Sequence, residues 1–188
     1  MSTVSEQAIY EPEDLLTMPD GDNFELVDGR LVARNMSKWS SYVAGTIFHR
    51  LRGRSDAHGF GWVYPEGTSY QCFPDSPSKV RRPDVSLIRL ERMSADEAMS
   101  EGHVRLAPDL VVEVISPNDL AYEIDEKVDE YETAGVKLIW VVNPETKAVR
   151  VHRADGTVMV LREKDELDGE AILPGFRCPV AERFLPAS

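Results

Sequence analysis

Two periodicities divide the hydrophobic positions of this chain. Val43, Ile47 and Leu51 stand four apart, a spacing that predicts a helix from Ser37, with Ser37 as N-cap candidate and Gly53 and Gly59 as breakers. Residues 109–115 (DLVVEVI) form a nearly continuous β-branched run, as expected of a strand covered on both faces and central in its sheet. VKLIWVV reads as a second buried strand. Between these two, Ile124, Val128 and Tyr131 lie at offsets 0, 4 and 7, the inward stripe of a helix that Asn118 or Asp119 can cap and Gly135 ends. Strand, helix and strand in that order predict parallel strands with a right-handed crossover.

The flanking segments carry shorter signals. YEPEDLLTM, from Tyr10 to Met18, predicts a short helix with Pro12 in its first turn, and FELV and RLVAR flank Asp28-Gly29 as a tight hairpin. GWVYP, TSYQCF and DVSLIRL read as strands, SADEAMS as a surface helix boxed by Ser94 and Glu97, and KAVRVHR with TVMVLRE as a hairpin turning at residues 154–156. The class is mixed α/β. A chain of 188 residues with 42% hydrophobic content is expected to form one domain over residues 1–188, with its core at about 10–184.

Composition narrows the function classes. Cys72 and Cys178 are far apart, with no ligand-spaced partner, so neither a disulfide framework nor a zinc site is expected. The acidic start without a basic-then-apolar run is unlike a secretory signal, and no apolar stretch is long enough to span a bilayer. A cytoplasmic location with no membrane partner follows as the expectation. The net charge of −12 opposes nucleic-acid binding in general. Its distribution is uneven, however: residues 29–55 hold six basic side chains (Arg30, Arg34, Lys38, Arg50, Arg52, Arg54) and no acidic one. A second cluster, Lys79, Arg81 and Arg82, precedes Asp84. Lys38, Arg50, Arg52, Arg54, Arg81 and Arg82 are therefore the candidate phosphate contacts, set against the plainer reading of a solvated helix face.

Glu113 stands out chemically. Alternation puts it on one face of its strand with Asp109, Val111 and Ile115, so a carboxylate occupies the middle of a core strand. Such a group must be protonated, paired with a cation or bound to a metal. An arginine salt bridge is the simplest answer. Lys127, at offset 3 on the stripe of the following helix, offers another, although a lysine there can also extend to solvent. Asp84 opens its strand directly after Arg82-Pro83, at a sheet end.

Taken in order, RPDVSL, PDLVVEVISP, a helix with a lone Lys ending YETAGV, and LIWVVNP, together with the earlier FELVDGRL, closely resemble the Uma-type restriction endonuclease family of the PD-(D/E)XK nuclease superfamily. The resemblance runs from about Tyr10 to Phe184. It implies a restriction-endonuclease-like central mixed sheet flanked by helices, with an N-terminal β-hairpin, and metal-dependent hydrolysis of DNA phosphodiester bonds. By the same resemblance Asp84 and Glu113 are metal ligands, the Val114 carbonyl is a further ligand, Lys127 is the catalytic cation and Glu25 joins the catalytic group. The superfamily's lysine position, two residues beyond the second acid, is Ile115 here; the amine comes from the following helix instead. Relatives carry a His near the start of the long helix, where this chain has SKWSSY.

Oxygen ligands of this kind suit Mg²⁺ or Mn²⁺. A strand-rich chain with an exposed edge is also expected to form a homodimer. The competing readings are a catalytically degenerate member of the fold serving as a dimeric binding or regulatory module, and a metal-dependent hydrolase of something smaller than DNA. His49, His58, His103 and His152 are scattered, Ser116 lacks a neighbouring His, and no glycine loop cradles phosphate. Spacing alone does not separate Trp39, Trp62 and Trp140 between core and base-stacking roles.

Overall fold

The computed structural model describes residues 8–34 and 36–183, so the expected signal-free start at 1–7 and the family-like end at Phe184 lie outside the described residues. Six strands form a mixed sheet in the order β3-β4-β5-β6-β7-β8: Gly61–Pro65, Val85–Arg89, Leu110–Val114, Leu138–Asn143, Ala148–Arg153 and Val158–Leu161. Only β5 and β6 run parallel, paired from Leu110↔Leu138 to Val114↔Val142. Helix α4 (Ala121–Thr133) makes the crossover between them, as the strand-helix-strand order requires.

Helix α2 (Lys38–His58) covers one sheet face. Ser37 caps it by accepting from Ser40 N–H (3.0 Å), and Gly59 closes it in the left-handed region at φ 67°. Val43, Ile47 and Leu51 pack there against Leu110, Val112, Val114, Trp140 and Val142. On the opposite face Ile124, Val128 and Tyr131 of α4 meet Val111, Ile139 and Val141. Every residue of β5 is buried, which fixes its alternation: apolar side chains toward α2, and Val111 with Glu113 toward α4. Each fully buried Val or Leu contributes roughly 1.5–3 kcal/mol, so a one-residue slip of β5 is excluded by both faces at once.

The hairpin β1 (Phe24–Val27) and β2 (Arg30–Ala33) turns on Asp28 (φ 50°) and Gly29 (φ 72°), the paired positive angles of a two-residue turn. It stands beside the sheet, held through Leu26, whose backbone bonds Val80 in both directions at 2.9 Å. Four sequence expectations change. The first helix, α1, shrinks to Asp14–Thr17, whereas the surface helix boxed by Ser94 and Glu97 stands as expected, as α3 (Ala95–Ala98). Gly53 lies inside α2 rather than ending it. TSYQCF is not a strand: Tyr70 makes only single bridges, to Arg81 and to Val104, because its two neighbours take one residue each. Neither Asn118 nor Asp119 caps α4; Leu120 is its N-cap, and Asp119 folds back to accept from Ser116 N–H (2.7 Å). A small pair, β9 (Glu166–Asp168) with β10 (Arg177–Pro179), is too short to have left a period in the sequence.

No helix among the described residues is long and apolar enough to cross a membrane.

Candidate active site

The polar side chains singled out in the sequence meet in a cleft of about 170 Å³ between the β1–β2 hairpin and α4. Asp84, immediately before β4, is buried, and its Oδ2 accepts from Val114 N–H at 2.7 Å, which ties the end of one strand to the backbone of the next. Glu113 points into the same cleft from β5. Its Oε2 lies 3.3 Å from Lys127 Nζ, and its Oε1 accepts from the Tyr131 hydroxyl at 2.8 Å. The cation beside Glu113 is thus a lysine from the next helix, not an arginine. Lys127 and Tyr131 are one helical turn apart, so a single face of α4 supplies both partners.

Glu25 enters from β1. Lys127 Nζ is 3.2 Å from its Oε1, the Arg82 N–H donates to that same oxygen at 2.9 Å, and Arg81 Nη1 donates to Oε2 at 3.0 Å. Arg81 continues to Glu130 through Nε at 2.6 Å, and Lys79 closes the chain on Glu130. Alternating charges therefore run from α4's flank into the cleft: Lys79, Glu130, Arg81, Glu25, Lys127, Glu113. Arg34 of the segment after β2 approaches Asp84 Oδ1 at 3.5 Å.

Burial and neighbours set the proton affinities. For Asp84, burial and the nearby Glu113 charge raise its carboxyl well above the ordinary value, against the Val114 N–H and the Lys127 and Arg34 charges. Burial also raises Glu113, with Lys127 opposing. Glu25 goes the other way: burial favours its neutral form, but Lys127, Arg81 and the Arg82 N–H together hold it below the ordinary value. Burial works against the Lys127 cation, yet Glu113, Glu25 and Asp84 outweigh it and raise its pKa. At neutral pH the amine is an ammonium.

Sequence reasoning missed Tyr131 and Arg34 as site groups. Tyr131 sits on the apolar stripe and reads as packing; only its hydroxyl, which needs a partner once buried, could have signalled more. Arg81 and Arg82, expected among the phosphate contacts, are instead interior, at 4% and 2% exposure. Arg81 serves Glu25 and Glu130, while Arg82 donates to the Phe24 and Gly67 carbonyls and pairs with Asp22. Of the remaining four, Lys38, Arg50 and Arg52 are exposed on α2, with Arg52 held by Asp56 at 2.7 Å. Arg54 is half-buried over the Phe60 ring and donates to the Pro174 carbonyl at 2.7 Å.

Residues 12–181 match the family model Uma2, described as "Putative restriction endonuclease". The chain belongs to the Uma2 family. No curated protein matches the sequence. Among solved structures, the Uma2 chain is similar to a protein from Anabaena variabilis ATCC 29413 described as "a putative nuclease belonging to DUF820". The two share 15% identity and a TM-score of 0.77, over 93% of this chain and 97% of that one. At that identity the likeness shows the fold, which is the restriction-endonuclease-like arrangement that the sequence motifs imply.

Among the described residues of this Uma2 protein, no three His, Cys, Asp or Glu side chains converge as a ready-made metal cluster. Three buried carboxylates, Glu25, Asp84 and Glu113, do line the cleft, and the charge of Glu113 disfavours that of Asp84. A dication relieves that repulsion. The carboxylate donors are oxygens, the class that Mg²⁺ and Mn²⁺ accept while keeping several waters, so Asp84 and Glu113 fit such an ion.

Proposed function

We propose that this protein is a Mg²⁺- or Mn²⁺-dependent endonuclease that hydrolyses DNA phosphodiester bonds. The observation that carries the reading is the placement of Lys127 Nζ within 3.3 Å of Glu113 and 3.2 Å of Glu25, in the cleft that Asp84 also lines. Asp84, Glu113 and the Val114 carbonyl would hold the ion. When bound, it supplies an acidified water and positive charge at the phosphoryl oxygens. Lys127, a cation at neutral pH, orients a water for attack and offsets the charge that develops on the phosphate. Glu25 fixes that amine together with Glu113, and Tyr131 holds the Glu113 carboxylate through its hydroxyl. Lys38, Arg50, Arg52 and Arg54 are the outer phosphate contacts of this reading.

Purified protein should cleave DNA with Mg²⁺ or Mn²⁺ and not with EDTA, and Asp84→Ala, Glu113→Ala or Lys127→Ala should abolish cleavage while leaving the fold intact. No heat of divalent-ion binding in calorimetry would sink the enzyme and leave the scaffold reading. A homodimer belongs to the same proposal, supported by β8: it ends the sheet, and Val158, Met159 and Val160 are all about half exposed along it.

A further inference from the structure

Four cations line the cleft, and three of them are committed. Lys127 lies 3.2 Å from Glu25 and 3.3 Å from Glu113, Arg81 donates to Glu25 and Glu130, and Arg82 donates to the Phe24 and Gly67 carbonyls. Arg34 is the exception. Among the described residues its guanidinium makes no hydrogen bond and meets one carboxylate, at Asp84 Oδ1, 3.5 Å away and too far for a good hydrogen bond. The backbone beneath it is fixed: Arg34 N–H donates to the Asn23 carbonyl at 3.0 Å, at the open end of the hairpin, and Ser37 N–H donates to Ser116 Oγ at 3.1 Å. A held main chain thus delivers a side chain with donors to spare.

The contact with Asp84 is also replaceable. Asp84 Oδ2 accepts from the Val114 N–H, so Oδ1, the atom that Arg34 approaches, is the oxygen left to a cation. A divalent ion there neutralises the carboxylate better than a guanidinium 3.5 Å away, and its charge repels Arg34. The Arg34 side chain is 18% exposed, so it can turn within the cleft without unpacking the core. A phosphate that comes in past the exposed Glu123 and Glu126 of α4 needs a cation whose donors are not already taken. The planar guanidinium fork matches two oxygens of one phosphate.

We infer that Arg34 is the phosphate clamp of this cleft: it is the counter-ion of Asp84 until a divalent ion takes that carboxylate, and then donates its guanidinium to a phosphodiester of nucleic acid. The inference rests on the nuclease reading for the ion and the substrate, but holding a phosphate does not require cleaving it.

The test uses the full chain in Ca²⁺ and in EDTA, with fluorescence anisotropy of labelled oligo-dT and of a labelled blunt DNA duplex. In Ca²⁺, Arg34→Met should weaken the tighter of the two complexes roughly 10- to 100-fold, and Arg34→Lys, which keeps the charge without the fork, by about two- to fivefold. In EDTA, where Asp84 holds the guanidinium, Arg34→Met should change binding by less than about twofold. Calorimetric titration with Mn²⁺ alone should find that Arg34→Met binds the ion as tightly as the parent or up to about tenfold more tightly, since Asp84 loses a competing cation. A mere buttress of Asp84 gives the opposite sign. Equal DNA affinities in Ca²⁺, an equal loss in EDTA, weaker Mn²⁺ binding by Arg34→Met, or no DNA binding by the parent would overturn the clamp. Metal-dependent cleavage by Arg34→Met at the parent's kcat/KM removes this inference and keeps the nuclease. Ca²⁺-dependent binding that is lost in Arg34→Met, in a protein that no metal makes cleave, does the reverse.

Discussion

Lys127 reaches Glu25 across 102 residues of sequence, 3.2 Å from amine to carboxylate, and reaches Glu113 with the same nitrogen. The hairpin, the central strand and the crossover helix therefore converge on one cation. Removing it leaves Glu25 and Glu113 facing each other in a buried cleft.

Replacing Lys127 should therefore separate catalysis from charge. Lys127→Ala is expected to lower single-turnover cleavage by at least about 100-fold, the scale of losing one preorganised electrostatic donor. Cleavage by this variant within a few-fold of the parent, under matched Mn²⁺, would remove Lys127 from the mechanism.

Arg81 should matter to stability more than its place outside the reacting group suggests. Its guanidinium joins Glu25 to Glu130, and Arg81→Met strands two carboxylates with one cation fewer. Breaking a buried pair on one side costs about 3–5 kcal/mol. Urea unfolding of Arg81→Met should show a loss of that size; a midpoint unchanged from the parent would mean that solvent already screens the network.

Divalent ions should stabilise the fold through Asp84. A ligand that binds only the native state raises the unfolding temperature with its concentration. Mn²⁺ titration followed by differential scanning fluorimetry should raise the midpoint of the parent and leave Asp84→Asn flat. Equal shifts in both proteins would place the ion elsewhere.

His103 supplies the pH dependence that is easiest to isolate. Its Nε2–H donates to the Pro12 carbonyl and its Nδ1 accepts from Ser69, both at 2.7 Å. Burial, helped by the Arg82 and Arg105 charges, holds the ring below its ordinary value of 6.5 despite the Pro12 bond. The unfolded chain thus binds the proton more readily, so this residue's contribution is complete above pH 6.5 and is lost as pH falls through the folded value. The stability gap between parent and His103→Gln, measured by urea unfolding from pH 7.5 to 5, should narrow on acidification. A constant gap would contradict the neutral ring.

The edge of β8 gives the last prediction. Val160→Lys puts a charge among the exposed side chains of a terminal strand. Light scattering should find the parent as a dimer and this variant as a monomer; a monomeric parent would end the dimer proposal.

How much was legible in the sequence depends on the range of the cause. The β5 run, the Val43–Ile47–Leu51 stripe, the Asp28-Gly29 turn and the Ser94–Glu97 box are set by neighbours a few residues away, and each appears where the periodicity put it. TSYQCF failed because a β-rich segment becomes a strand only with a partner of matching length, and Tyr70 has two partners of one residue each. The burial of Arg81 and Arg82 was not legible because a cluster of cations looks the same whether water or carboxylates surround it.

From the sequence alone came the alternation that turns Glu113 toward α4 and the helical offset that turns Lys127 toward β5, since covalent geometry sets a side chain's direction locally. Only the tertiary structure decided that Glu25 and Arg81 join them, that Asp84 is bonded to Val114, and that Trp39 lies stacked at the surface while Trp140 is enclosed. Those are distances between segments remote in the chain, and they follow from how the layers pack, which no local period encodes.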